Sequence, residues 1–327
     1  MAESNFWSHR YNVILGGILV LFMLSAAMIF LDRVTRPPKA TDIVPLDSPG
    51  KTSSTAKVNE LPELHFAIAT MVSPEDTFIS YRQLVEEVAR KCNRQPRLVL
   101  RSSYKQLRQL IESGKVDVAL VCTGTYALLA QGTNCPVDLL VVPVFRQDVF
   151  YQSVLLCRPN SGIQSLQDLR GKRIALSDPE SCTGDFLPRY LFSRENKPLD
   201  TYFSSVLYTG SHDHSIRALE VGTVDCTAVD SLVFYAMYPN RKEREKRFRI
   251  LWQSERYGPP PIVVKKDLDP TLKEQLKTIF LTFNKDRSGQ RILSSIGIMG
   301  FRNPRNDEYR SILMLYRKWG KALRPRQ

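Results

Sequence analysis

From His65 onward the chain repeatedly sets a short apolar run against a segment with apolar residues at helical spacing. His65 to Ala69 reads as a strand and Tyr81 to Ala89 as a helix, and Leu98 to Leu100 with Tyr104 to Ile111 repeats the pair. Val116 to Val121 is apolar without a break, as expected of a strand covered on both faces. Thr123-Gly-Thr125 opens another helix, and Leu139 to Phe145 and Ser153 to Cys157 are two more strands. The pattern resumes with strands at Ile174 to Leu176, Ser205 to Tyr208 and Cys226 to Val229, with helices from Ser215 to Val221 and after Asp230. Such alternation predicts an α/β architecture of parallel sheets with helices on both faces.

At 327 residues the chain is long enough for two compact lobes. A crossover is expected near Arg146 to Tyr151. Arg249 to Trp252 and Ile262 to Val264 are expected to carry the chain back, with helices at Thr271 to Phe283, near Arg291 to Ser295 and from Asp307 to Trp319. Lobe 1 then comprises 64–148 and 249–327, and lobe 2 comprises 149–248. Ahead of them, Val13 to Leu31 is a run of 19 residues without a charge. As a helix it would span about 28 Å, close to the hydrocarbon thickness of a bilayer. We read 1–12 as a short N-terminal segment, 13–31 as an uncleaved transmembrane helix, and 32–63, rich in Pro, Ser, Thr and Lys, as a flexible tether. A cleavable signal peptide is the alternative. Arg33, Arg36 and Lys39 after the run would hold the large domain in the cytoplasm on a simple charge count, yet large domains translocate largely regardless of such charges.

Net charge is +13, which raises nucleic acid or an anionic membrane as partners. The basic residues are scattered except in Arg241 to Arg247 and Arg317 to Arg326, which read as solvated helix faces, and no zinc-finger or RNA-binding motif accompanies them. A nucleic-acid partner is therefore not expected. The six cysteines lack any C-x-x-C pair, and neither metal-ligand spacing nor a dinucleotide glycine pattern is present, so no metal or cofactor is expected.

Ligands of open α/β sheets bind at the carboxyl ends of strands. The loop after Leu176, Ser177-Asp-Pro-Glu-Ser-Cys-Thr-Gly184, is a strand–turn–helix junction rich in small hydroxyl residues. Free N–H groups and the dipole at a helix start favour an anion, Ser181 and Thr183 can add hydroxyl donors, and Gly184 lets the backbone approach a ligand. Capping of the helix by Ser181 or Thr183 would account for the same residues. Thr123-Gly-Thr-Tyr126 has the same style, Thr209-Gly-Ser-His-Asp-His214 places His212 and His214 before a helix, and Asp230 could cap a helix or receive a cationic group. Tyr104 could donate to a ligand or join the core. Cys182, His212 and Asp230 could also be imagined as nucleophile, base and orienter of a cysteine enzyme.

The stretch from about Leu64 to Arg317 resembles the periplasmic phosphate/phosphite/phosphonate-binding subunits of ABC importers, the PhnD type. The resemblance rests on Ser73-Pro-Glu, Ser103-Tyr104, Gly114-Lys-Val-Asp-Val-Ala119, Cys122-Thr-Gly-Thr-Tyr126 and Ser165-Leu-Gln-Asp-Leu-Arg-Gly-Lys172. It continues through Asp178-Pro-Glu-Ser-Cys-Thr-Gly184, Thr209-Gly-Ser-His-Asp213 and Val229-Asp-Ser231. It implies a two-lobed type II periplasmic binding protein fold with the ligand clamped in a cleft between lobes. It also implies that Ser181, Thr183, Gly184 and His212 meet a small oxyanion, that Tyr104, Thr123 and Tyr126 line the cleft, and that Asp230 can receive an amino group. Cys182, in the same ligand-binding turn and counted with it among the binding residues, stands where the family carries a hydroxyl residue. The expected protein is not an enzyme. It is a binding subunit anchored in a bacterial inner membrane with its soluble domain in the periplasm, working with an ABC transporter permease. A sensor of the same fold, signalling to a membrane partner, is the alternative.

Overall fold

The computed structural model describes residues 43–45, 61–132, 134–145 and 151–323. In chain order these form β1 (Ile43–Pro45), β2 (Glu63–Ile68), α1 (Pro74–Lys91), β3 (Gln95–Val99), α2 (Tyr104–Glu112), β4 (Val118–Leu120), α3 (Thr123–Leu129) and β5 (Val137–Phe145). Next come β6 (Ser153–Cys157), β7 (Arg173–Leu176), a π-helical turn (Cys182–Phe186), α4 (Leu187–Arg194), α5 (Leu199–Tyr202) and β8 (Ser205–Tyr208). The second lobe ends with α6 (His212–Glu220), β9 (Cys226–Asp230), α7 (Ser231–Met237), α8 (Arg241–Arg247) and β10 (Arg249–Gln253). The chain closes with β11 (Ile262–Lys265), α9 (Pro270–Thr282), α10 (Arg287–Ser295), β12 (Ile298–Arg302) and α11 (Arg310–Trp319).

Two sheets result, a seven-stranded one in the order β1-β3-β2-β4-β11-β5-β12 and a five-stranded one in the order β10-β6-β9-β7-β8. The expectation of parallel sheets holds for β3-β2-β4 and for β9-β7-β8, but not for the strands that carry the chain between lobes. β6 runs antiparallel to β9 with its first residue, Ser153, opposite Asp230 at the end of β9, and β11 begins with Ile262 opposite Leu120 at the end of β4. A strand arriving from the other lobe enters at the end where the parallel strands finish, so it must run against them. The expectation that Arg249 to Trp252 leads back to the first lobe also fails. β10 pairs with β6 in the second sheet, and the return comes at β11. The tether, too, is structured in part, since Ile43–Pro45 pairs with β3.

Side-chain alternation explains the layering. On β2, Leu64, Phe66 and Ile68 face α1 and α9 through Leu84, Val88, Leu276 and Phe280, while Ala67 and Ala69 face α2 through Tyr104 and Leu107. β6 is buried along its whole length, as the second strand of a sheet covered on both sides should be. Helix starts are fixed locally: Ser73 precedes Pro74 and accepts from the Asp76 N–H, and Ser103 accepts from the Gln106 N–H. The run 13–31 lies outside the described residues, and most of the crossover at 146–151 does too. Among the described residues no helix is long and apolar enough to cross a membrane.

Candidate functional site

The loop after β7 is built around one hydroxyl. Ser181 Oγ accepts from the Gly184 N–H at 3.0 Å, and the Ser181 carbonyl accepts from the Phe186 N–H at 2.9 Å, a bond to the fifth residue that makes the turn π-helical. Ser181 is therefore a cap as well as a site candidate. The turn is held from below by Asp185, whose carboxylate accepts from Arg189 Nε at 2.8 Å and from the Tyr208 hydroxyl at 2.6 Å. Burial pushes the Asp185 carboxyl up to about 7 against the pull of Arg189. From β6, Ser153 Oγ donates to the Thr183 carbonyl at 2.6 Å. This backbone is closely packed: a Cβ on Gly184 would overlap Ser177 Oγ and lie 2.9 Å from the His212 ring.

Across this turn stands His212, at the first position of α6. Its Nδ1 accepts from the Asp230 backbone N–H at 3.2 Å, and its Nε2 lies 3.5 Å from Ser181 Oγ. Because a backbone N–H can only donate, Nδ1 carries no proton, and the neutral ring holds its hydrogen on Nε2, pointing toward Ser181. Burial lowers the imidazole to about 3, so the ring offers this N–H without a positive charge. Around it three buried hydroxyls lack hydrogen-bond partners: Ser177, Thr183 and Tyr104. Two more among the described residues are on Thr125 in α3 and Tyr316 in α11. Buried hydroxyls are normally paired, and several unpaired ones on converging loops are the mark of a polar guest site.

The lobes meet here. Tyr104 donates its N–H to Asp178 Oδ2 at 3.1 Å, and the His212 N–H donates to the Met71 carbonyl at 3.1 Å. Arg108 grips Glu180 through Nε and Nη2 at 2.9 and 2.8 Å. Burial lifts the Asp178 carboxyl to about 6, opposed by the N–H bonds from Glu180 and Tyr104. From the first lobe, Gly124 approaches so closely that an added Cβ would sit 2.7 Å from the Glu180 carbonyl and 2.9 Å from the Cys182 nitrogen.

Not every sequence candidate joins this cluster. Ser181, Thr183, Gly184, His212 and Tyr104 do. Thr123 is buried but spends its hydroxyl on the Gly258 carbonyl at 2.9 Å, tying α3 to the returning chain. Tyr126 turns away and packs edge-on against Tyr309, with ring centroids 5.2 Å apart, beside a hollow bordered by Arg305 and Arg310. Its helical phase decides this, because Gly124 takes the side of α3 that faces the second lobe and Tyr126, two residues on, points about 160° away from it. Asp230 caps α7, accepting from the Leu232 N–H at 2.7 Å, and burial pushes its carboxyl up to about 7. The same residue lines a cavity of about 550 Å³ between the lobes. His214 is half exposed on α6.

The cysteine-enzyme arrangement is absent. Cys182 is fully buried and its thiol is pushed well up by burial, not lowered by the helix start. His212 directs Nε2 to Ser181, and it meets Asp230 through that residue's backbone, not its carboxylate. The residues missed in sequence are Ser177, Thr125, Asp178 and the Arg108–Glu180 pair. Ser177 had a signal, as a hydroxyl residue immediately after a strand. The Arg108–Glu180 pair had none.

A profile of the family described as "ABC transporter, phosphonate, periplasmic substrate-binding protein" matches residues 66–309. The chain belongs to this family. It is 24% identical over 249 residues to the phosphonates-binding periplasmic protein of Escherichia coli (strain K12), covering 73% of this chain and 71% of that protein. Two solved structures share the fold. A binding protein component of an ABC phosphonate transporter from Pseudomonas aeruginosa aligns with a TM-score of 0.72 at 18% identity, over 81% of this chain and 90% of that one. PhnD1 from Prochlorococcus marinus, solved in complex with methylphosphonate, aligns with a TM-score of 0.69 at 17% identity, over 79% and 98%. The two-sheet α/β fold is that of type II periplasmic binding proteins, and the family is one of substrate-binding subunits, not enzymes.

Proposed function

We propose that this chain captures a phosphonate, phosphite or phosphate-class oxyanion between its two lobes and presents it to the permease of an ABC importer. The observation that carries this reading is the set of unpartnered buried hydroxyls on Ser177, Thr183 and Tyr104, gathered near the Nε2–H of a neutral His212. Leaving a buried hydroxyl unpaired costs about 1–3 kcal/mol, which a guest rich in acceptor oxygens recovers on binding. A tetrahedral oxyanion is such a guest, and the start of a helical turn adds favourable backbone dipoles. Ser181, Thr183, Tyr104 and His212 are assigned to the oxyanion, with Gly184 keeping the turn close beneath them. The names of the relatives, which include binding proteins for phosphonates and phosphate, agree with this class.

The run 13–31 is assigned as an anchor that keeps the lobes at the outer face of the inner membrane, with the chain between it and β1 as its leash. Protease treatment of spheroplasts, followed by carbonate extraction of membranes, tests this. Full-length protein released into the soluble fraction refutes it. For the ligand, calorimetry of the full chain with phosphate, phosphite and methylphosphonate should give saturable one-site binding. Thr183→Val should weaken that binding by about tenfold, the value of one good hydrogen bond. Folded protein that gives no heat with any of these anions overturns the reading.

A further inference from the structure

The cavity beside Asp230 is much larger than an oxyanion requires. It is a partly open cleft of about 550 Å³, many times the roughly 30 Å³ that one water occupies in the liquid. Its walls come from both lobes and are chiefly apolar: Met71, Tyr81 and Phe145 from the first, Val233, Ala236 and Met237 from the second. Among its lining residues there is no lysine or arginine, and Asp230 is the one carboxylate.

The cavity is joined to the hydroxyl cluster by two residues. Met71 lines it while its carbonyl accepts from the His212 N–H, and Asp230 lines it while its own N–H holds His212 Nδ1. A molecule whose oxyanion lies against His212 and Thr183 therefore has its substituent directed past Met71 and Asp230 into an apolar chamber. We infer that this chain is built for organophosphonates or phosphate monoesters carrying an uncharged apolar group of about four carbons or more, in preference to inorganic phosphate or small polar phosphonates. The inference deepens the proposed function and rests on it. Lobe closure would bury such a group on two sides, and each buried methylene favours binding about fourfold before ordering costs are deducted.

The test is calorimetry on the full chain in lipid nanodiscs with phosphate, methylphosphonate, butylphosphonate, phenylphosphonate and 2-aminoethylphosphonate. Butyl- and phenylphosphonate are expected to bind at least about tenfold more tightly than methylphosphonate. Ala236→Phe, at an exposed position on α7 where the fold should tolerate it, narrows the chamber. It should remove the butyl advantage, bringing butylphosphonate affinity down to about that of methylphosphonate. If methylphosphonate binds and the longer compounds bind no better, or if the aminoethyl compound binds best, the chamber assignment is overturned while the oxyanion reading stands. If none of the five binds to folded protein, both fall together.

Discussion

Gly124→Ala separates the energetics of closure from those of folding. Glycine stands at the second position of α3, and alanine there would raise helix propensity by up to about 1 kcal/mol, which offsets part of the crowding against Tyr316 in the same lobe. Part of the cost falls within the first lobe, on the hydroxyl at the end of the Tyr316 side chain, and the rest falls between lobes. The new Cβ would meet Tyr316 Oη at 2.5 Å, the Glu180 carbonyl at 2.7 Å and the Cys182 nitrogen at 2.9 Å. The two backbone contacts belong to the second lobe, and they cannot rotate aside. Restoring a contact of about 3.5 Å to the Glu180 carbonyl requires the lobes to part by about 0.8 Å. Two bonds between the lobes, Tyr104 N–H to Asp178 and His212 N–H to the Met71 carbonyl, are each 3.1 Å long and would stretch beyond useful range. Losing both costs about 2 kcal/mol or more, since one acceptor is a carboxylate. Closure would be disfavoured by that amount, so apparent affinity should fall about 30-fold. Calorimetry with methylphosphonate measures the affinity, a thermal melt checks the fold, and small-angle scattering reads the separation of the lobes. If affinity stays within about twofold of wild type while the melt is unchanged, Gly124 does not set the closed approach and the geometric argument fails.

The neutral His212 predicts an acid limb. Its folded value near 3 lies below the usual 6.5, so the unfolded chain binds more protons between those values and stability falls as pH drops below 6.5. The wild type should therefore lose about 2 kcal/mol more than His212→Gln between pH 7 and 5, measured by urea denaturation, and parallel curves would refute the assignment. Asp178, lifted to about 6, acts in the opposite sense: the folded state gains relative stability as pH falls from 6 toward 4. Asp178→Asn should flatten that part of the profile, and an unaltered slope there would count against it. Tyr104→Phe removes a buried hydroxyl with no partner, so it should leave the melting temperature unchanged or slightly higher while weakening oxyanion affinity about tenfold; a clear loss of stability instead would mean the hydroxyl is paired within the protein. Glu180→Gln breaks the Arg108 fork, and because both groups are partly exposed the expected loss is small, below about threefold in affinity.

The alternation of strands and helices was legible because apolar periodicity is a local property. Ser153–Cys157 and Ser205–Tyr208 appear in the structure with the bounds that the sequence suggests. β12 was not legible: Ile298–Arg302 mixes glycine, methionine and arginine, and becomes a strand only because β5 offers an open edge. Nor was β1, which lies in a stretch with the composition of a tether.

For the site, sequence alone determined the chemistry on offer: the hydroxyls, the glycine and the histidine at the ends of strands, in an order that resembles one family. It could not decide which of them share a space. Tyr126 and Thr123 carry suitable groups, yet the phase of α3 and the carbonyl of Gly258 claim them for the scaffold. The proton on His212 Nε2 follows from an N–H eighteen residues later in the chain, and the burial that keeps the ring neutral is supplied by two lobes at once. Hydrogen-bond partners and desolvation depend on distances through space, so residue identity sets what each group can do and tertiary packing sets which of those things it does.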